Sequence, residues 1–340
     1  MKKVLVTGGL GFIGSHTVVE LQERGFEVVI IDDLSNSSID VLAGITAITG
    51  KAPAFEKLDL KEKSKVEAFF GKHQDIVGVI HFAASKAVGE SVEKPLLYYE
   101  NNINTLVYVL KSLLHLPTQN FIFSSSCTVY GQADQMPITE SAPIKAAESP
   151  YGNTKQIGEE IIKDTCKVNS TLNAIALRYF NPIGAHSSIK IGELPIGVPQ
   201  NLVPFITQTA AGLRKELSVF GDDYPTPDGT CIRDYIHVVD LAKAHVVALE
   251  RLIGKNNTSN YEIFNLGTGK GSSVLEVIQS FEKASGQKLN FKIAPRREGD
   301  VIQAYADTTK ANAELGWKAE SNLDDALLSA WKWEKHLRKI

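Results

Sequence analysis

The sequence predicts an α/β fold: a doubly wound parallel sheet with a smaller C-terminal α/β lobe. Three observations carry the prediction. Strand-length apolar runs alternate with helix-length segments from residue 4 to residue 179. The first of those runs leads straight into a turn with glycines three residues apart. At 340 residues the chain also exceeds the size at which a single core usually keeps growing, so two lobes with a cleft between them are expected.

Bulk properties narrow the class. Hydrophobic residues make up 43% and charged residues 22%, and the mean hydropathy is −0.07, as in ordinary water-soluble domains. Thirty-six Lys and Arg against 39 Asp and Glu leave a net charge of −3. That argues against a general electrostatic role on nucleic acid or on an anionic membrane. Cys127, Cys166 and Cys231 are odd in number and lack CxxC spacing, so neither a disulfide framework nor a metal site is expected. Met1-Lys2-Lys3 runs into Val4-Leu5-Val6 and then glycines, too short an apolar stretch for a signal peptide or membrane span. A cytoplasmic protein is the expectation.

Taken in order, Val4-Leu5-Val6 reads as a buried parallel strand, with Thr7-Gly8-Gly9-Leu10-Gly11-Phe12-Ile13-Gly14 as the turn after it. Apolar residues at Ile13, Val18 and Leu21 give a helix that stops at Arg24-Gly25, and Glu27 to Ile31 is a second strand ending at Asp32. Gly8, Gly11 and Gly14 permit a tight turn, backbone approach to a pyrophosphate and close helix packing, with phosphate at the helix N-terminus. Glycine triplets also mark ordinary turns; the flanking strands and the spacing to Asp32 make this a Rossmann-type dinucleotide site. Asp32 is placed to accept from the adenosine ribose hydroxyls. Asp33 beside it, with no Arg or Lys at that strand end, would repel a 2′-phosphate, so NAD is favoured over NADP.

Ala54 to Leu58 is a third strand with Asp59-Leu60 at its end, where an adenine contact fits. Val77 to Phe82 is a fourth, followed by small residues Ala83-Ala84-Ser85 and then Lys86. A long helix follows from Glu93 to Leu114, starting near Pro95 and carrying Asn101 and Asn102. Phe121-Ile122-Phe123 is the fifth strand, and Ser124-Ser125-Ser126 lies past its carboxyl end, the side on which open α/β sheets bind ligands. Pro150 suits the first position of a helix running to about Val168, which places Tyr151 and Lys155 on one face. Alone, that pair describes many solvated helices. A free phenol titrates near ~10, and a fixed ammonium would lower it toward useful acid/base range. Leu172 to Arg178 is the sixth strand. After Tyr179-Phe180-Asn181-Pro182 the alternation fades, which puts the lobe boundary at 180/181: residues 1–180 bind the dinucleotide, 181–340 form the second lobe, and parts such as 234–252 pack back on the first. Val203 to Lys215, Val238 to Leu252, Ser272 to Ser285 and Leu323 to Leu337 read as helices, and Ser218-Val219-Phe220 as a short strand.

Together, Thr7-Gly8-Gly9-x-Gly11-x-x-Gly14, Ser124-Ser125-Ser126 and Tyr151-x-x-x-Lys155 resemble the extended short-chain dehydrogenase/reductase superfamily. His81 to Ser91, Arg178 to Pro182, Gly229 to Val238 and Arg297-Glu298-Gly299-Asp300 further resemble the UDP-glucose (UDP-galactose) 4-epimerase family, across nearly the whole chain. The resemblance implies C4 epimerisation of a UDP-hexose. Tyr151 would take the O4 proton directly or through Ser126, NAD would borrow the C4 hydride, and Lys155 would keep the Tyr151 pKa low. It implies NAD contacts from Gly8, Gly11, Phe12, Ile13, Gly14, Asp32, Asn36, Asp59, Leu60, Phe82, Ala83, Ala84, Lys86, Asn101, Ser124, Tyr151, Lys155 and Tyr179. For the UDP-sugar it implies Lys86, Ser126, Tyr151, Asn181, Asn201, Leu202, Phe220, Arg233, Arg297, Asp300 and Ala304. Arg geometry suits the two phosphates, and Phe220 suits the uracil face. A homodimer is implied too, with the helices at 93–114 and 150–168 available to pair across a two-fold axis. Relatives that dehydrate nucleotide sugars carry an Asp-Glu pair after the catalytic hydroxyl; here Cys127 and Thr128 stand there. Ala304 stands where a large aromatic would exclude a 2-acetamido group, so UDP-N-acetylhexosamines are expected substrates as well.

Overall fold

In the computed structural model, residues 1–297 and 299–340 are described; Glu298 of the Arg297–Asp300 stretch lies outside them. The first half runs β1 (Lys3–Thr7), α1 (Phe12–Glu23), β2 (Glu27–Asp32), α2 (Val41–Thr49), β3 (Ala54–Lys57), α3 (Lys63–Lys72), β4 (Ile76–His81), α4 (Val88–Glu93), α5 (Pro95–Leu113), β5 (Gln119–Ser124), α6 (Pro150–Val168) and β6 (Leu172–Tyr179). The second runs β7 (Asn181–Ile183), α7 (Leu202–Ala210), β8 (Leu217–Phe220), β9 (Ile232–Arg233), β10 (Tyr235–His237), α8 (Val238–Ile253), β11 (Tyr261–Leu266), β12 (Ser272–Ser273), α9 (Val274–Ser285), β13 (Phe291–Ala294), β14 (Gln303–Ala304) and α10 (Leu323–Arg338).

Seven parallel strands form the main sheet in the order β3-β2-β1-β4-β5-β6-β11. Its central strands β1, β2 and β4 are mostly apolar because both faces are covered, and alternate residues serve opposite layers. Val4, Val6, Ile30, Ile80 and Ile122 pack against α1 and α8, through Val18, Leu21, Leu241 and Leu249. Leu5, Val29, Val79 and Phe121 face α3, α5 and α6, through Phe69, Leu106, Val109 and Ile162. The strand order reverses between β1 and β4, where Thr7 sits between Ile31 and His81 in register. A crevice opens beyond the carboxyl ends at such a switch point.

The sheet draws on both sides of residue 181. The edge strand β11 and the helix α8 come from the second half, and α8 lies against α1. The rest of that half builds its own core from Val203 and Ile206 of α7, Val219 of β8, Val277 and Phe281 of α9, and Leu327 and Trp331 of α10. The helix expected over 203–215 spans only Leu202–Ala210: Ala211 caps it and Gly212 takes a left-handed φ of 76° that turns the chain away. Helix α6 begins at Pro150 as expected, with the Ser149 hydroxyl accepting from the Gly152 amide at 3.2 Å.

Candidate active site

The glycine turn is built by backbone geometry. Gly8 has a φ of 66°, and a Cβ there would lie 2.8 Å from the Ala83 amide nitrogen; one on Gly14 would lie 2.3 Å from the Gly8 carbonyl oxygen. The β1 and β4 ends are thereby brought as close as backbone allows. Helix α1 starts at Phe12 with Gly11 as its N-cap and no side-chain cap, so the amides of its first turn, from Phe12, Ile13 and Gly14, face the crevice without intrahelical acceptors. These features fit a dinucleotide pyrophosphate. Asp32, at the end of β2, is buried and oriented: it accepts from the Leu10 and Leu34 amides at 3.0 Å and from the Ser37 hydroxyl at 2.7 Å. Asn36 is exposed in the loop that follows, Asp59 accepts from the Lys61 amide at 2.9 Å, and Leu60 is buried.

On the β4 side, the Thr7 hydroxyl contacts His81 Nδ1 at 2.8 Å and accepts from the Ala83 amide at 3.3 Å. Burial pushes the His81 imidazole down to about 3, so it stays neutral. Phe82 packs on His245, ring centres 4.7 Å apart, while Ala83 and Ala84 keep the path low. Asn101 donates to the Ser85 hydroxyl at 3.1 Å.

Each of the three serines after β5 has a separate task. Ser124 Oγ shares a hydrogen bond with the Tyr179 hydroxyl at 2.9 Å, and its carbonyl oxygen accepts from Lys155 Nζ at 2.7 Å. Ser125 donates to Glu159 at 2.5 Å. Ser126 Oγ accepts from the Thr128 amide at 3.2 Å and faces the Tyr151 hydroxyl. Tyr151 and Lys155 are both buried, with Lys155 Nζ 5.8 Å from the Tyr151 ring centre. The sequence predicts a depressed phenol. Here burial instead pushes Tyr151 well above its usual value, with the Ser126 hydroxyl pulling the other way. The ammonium is engaged by the Ser124 carbonyl, and burial pushes it down to about 8, against the pull of Glu159.

Sequence reasoning missed Glu159. It follows Lys155 by one turn on the same helix face and closes a buried two-point ion pair with Arg178 of β6, Nε to Oε1 at 2.9 Å and Nη2 to Oε2 at 2.5 Å. The i,i+4 spacing from Lys155 was the available signal.

The second lobe brings four expected substrate residues together. Asp300 accepts from Arg297 at 2.8 and 3.1 Å and lies 3.5 Å from Arg233, while Arg297 stacks over Phe220 at 5.8 Å. Phe220 is 41% exposed, so part of its ring stays open to a ligand rather than buried in the core. Ala304 pairs with Arg233 in the β9–β14 ladder and shares a small apolar cluster with Tyr130 and Cys127. Asn181 hydrogen-bonds through its backbone amide to the Asp234 carbonyl at 2.9 Å. Leu202 turns its side chain onto the second-lobe core, which leaves only its backbone for a ligand. Lys86 and Asn201 do not join the arginines; both meet Glu193.

Comparisons with known proteins agree with this geometry. The family model described as GDP-mannose 4,6 dehydratase matches residues 5–329. The UDP-glucose 4-epimerase of Mus musculus is 48% identical over 341 residues, covering 98% of this chain and 97% of that protein. The structure of the Stenotrophomonas maltophila UDP-glucose-4-epimerase, with bound NAD and formylated UDP-arabinopyranose, superposes with a TM-score of 0.95 at 47% identity over 100% of this chain and 99% of its own. The Bifidobacterium longum UDP-glucose 4-epimerase, in complex with NAD+ and UDP, gives 0.94 at 46% identity over 98% of both chains. The family model's dehydratase chemistry has no carboxylates to work with at the positions after Ser126, because Cys127 and Thr128 open a short 3-10 turn there. Identity sustained over both full lengths, on this fold and this glycine turn, establishes that the chain belongs to the UDP-glucose 4-epimerase family of the extended short-chain dehydrogenases/reductases.

Proposed function

We propose that the protein is an NAD-dependent UDP-hexose 4-epimerase that interconverts UDP-glucose and UDP-galactose through a 4-keto sugar. The observation that carries this reading is the clustering of Tyr151, Ser126 and Lys155 at the carboxyl ends of β5 and β6, beside the glycine turn. NAD, held at the glycine turn with Asp32 on its adenosine ribose, supplies a reversible hydride acceptor. The chain's own residues handle the proton. Tyr151 Oη takes it from the sugar O4, directly or through Ser126 Oγ, and later returns it. In this dry pocket, burial disfavours both phenolate and ammonium singly, yet the same low dielectric strengthens their mutual attraction. Proton removal thus creates an ion pair between Tyr151 and Lys155, with Ser124 fixing the cation. A sugar that must present both faces needs its nucleotide gripped and its ring loosely held. Arg233 and Arg297 supply the phosphate grip and Phe220 a uracil platform, with Asp300 setting the spacing of the arginines.

Ala304 supports a second substrate pair, UDP-GlcNAc and UDP-GalNAc, because it carries only a methyl group where a large aromatic would exclude a 2-acetamido group. We place the lobe division at 180/181, with 234–252 and β11 lodged on the first lobe. A homodimer through α5 and α6, which pack side by side, fits Leu96 being 80% exposed at the start of α5. All three cysteines are free, which suits the reducing conditions of a cytoplasmic enzyme. Among the described residues no helix is long and apolar enough to cross a membrane. The test is incubation of purified protein with UDP-galactose and with UDP-GalNAc, no NAD added. UDP-glucose and UDP-GlcNAc should appear; protein that carries NAD yet leaves every UDP-sugar unchanged refutes the reading.

A further inference from the structure

The loop between β7 and α7 carries a carboxylate whose position is set from the far end of the chain. The Glu193 carbonyl oxygen accepts from the Trp333 indole Nε1 at 2.8 Å, and Gly192 lies so flat on that indole that a Cβ would come within 2.5 Å of it. Helix α10 therefore fixes Glu193 in place. The Glu193 side chain is only 12% exposed, and its Oε1 is approached from both sides of the cleft. Asn201, the N-cap residue of α7, donates to it at 2.8 Å, and Lys86, from the segment after β4, places its ammonium 4.0 Å away. Those partners are themselves exposed, the Lys86 side chain at 51%. One half-buried carboxylate thus holds two exposed side chains.

We infer that Glu193 is a positioning residue that tethers Lys86 and Asn201 to one point across the cleft and so preorganises the sugar-nucleotide site. This rests on the epimerase reading, from which Lys86 and Asn201 take their roles. Burial favours the neutral form of Glu193, while Lys86 and Asn201 favour the charged one, so the three groups depend on each other. Preorganisation acts on affinity, because ordering that is already present need not be supplied on binding. Among the described residues Glu193 makes no hydrogen bond to Tyr151, Ser126 or Lys155, so its removal should leave the chemical step largely intact.

The experiment is a double-mutant cycle on the NAD-loaded protein, read as UDP-galactose affinity by calorimetry and as KM and kcat. Glu193→Ala should weaken binding and raise KM by about tenfold, with kcat changed less than about threefold and NAD content intact. Glu193→Gln, which still accepts from Asn201, should regain part of the loss. Lys86→Met should weaken binding too, and Lys86→Met with Glu193→Ala should be little worse than either alone, since both remove one coupled interaction. Unchanged affinity in Glu193→Ala, or penalties that simply add in the double variant, would overturn the inference. A parent protein without epimerase turnover would refute the functional reading instead, and calorimetry on the same variants would still decide the role of Glu193.

Discussion

Lys155 Nζ donates to the Ser124 carbonyl oxygen at 2.7 Å, which ties α6 to the end of the strand that delivers Ser126. Two turns of unrelated sequence are thereby locked into one constellation. Glu159, one turn further along the helix, answers the same strand end through Ser125. The buried Arg178 pairs with that carboxylate at two points, and Glu159 in turn favours the charged form of Lys155 along the same dry helix face.

Replacing Tyr151 by Phe removes the phenol hydroxyl, the proposed proton carrier, and leaves the ring. Turnover of UDP-galactose should fall by at least ~100-fold, a usual share for a positioned acid/base group, with NAD still bound. Steady-state assay and cofactor content after denaturation measure the two; near-full activity would show that another group moves the proton.

Lys155 makes a pH prediction whose sign is fixed by burial. Its folded-state value is about 8 against 10.5 for a free lysine. Between those two values the unfolded chain holds the proton and the folded chain has lost it, so stability rises with pH across that window. Below about 8 both states are charged and the full penalty applies. The unfolding free energy of cofactor-stripped parent minus that of Lys155→Met should therefore climb between about pH 8 and pH 10, with a slope approaching about 1.4 kcal/mol per pH unit. Urea titrations of both proteins at several pH values check this; a flat difference refutes a depressed Lys155.

Gly8→Ala meets two obstacles, a left-handed φ of 66° and a Cβ 2.8 Å from the Ala83 amide. The strain should cost about 1–2 kcal/mol or more and part the β1 and β4 ends. We expect protein purified with little NAD, seen in its absorbance spectrum, and a lowered Tm. Full NAD occupancy would mean the cofactor lies elsewhere.

Ala304→Tyr tests the sugar pocket. A phenol ring built at this β14 position, beside Arg233 and the Cys127–Tyr130 cluster, should suppress UDP-GlcNAc turnover by about tenfold or more relative to UDP-glucose, as unfavourable volume does. Competition between the two sugars in one assay gives the ratio directly. Equal loss for both would show that Ala304 controls stability rather than choice.

Legibility followed the range of the interactions. Alternating strands and helices, the glycine spacing with Asp32, and the Tyr151–Lys155 turn were readable because each is local: a period, a three-residue interval or one helical turn encodes it. The short helices α2, α3 and α4 span six to ten residues each, too few for a helical period to stand out in the sequence. The end of α7 was overrun because the residues after Gly212 continue a helical composition while the backbone does not.

What the sequence by itself determined is the glycine turn, the placing of Tyr151 and Lys155 on one helix face, and the layered sheet, since neighbours along the chain impose them. Only the tertiary structure decided that β11 closes the sheet edge, that Asp300 holds Arg233 beside Arg297, that Arg178 neutralises Glu159, and that Lys86 and Asn201 meet at Glu193. Those contacts join residues that are mostly far apart in the chain, and burial sets their charges. The same burial reversed the expected shift of Tyr151, for a phenol's acidity depends on the dielectric around it, which no stretch of sequence states.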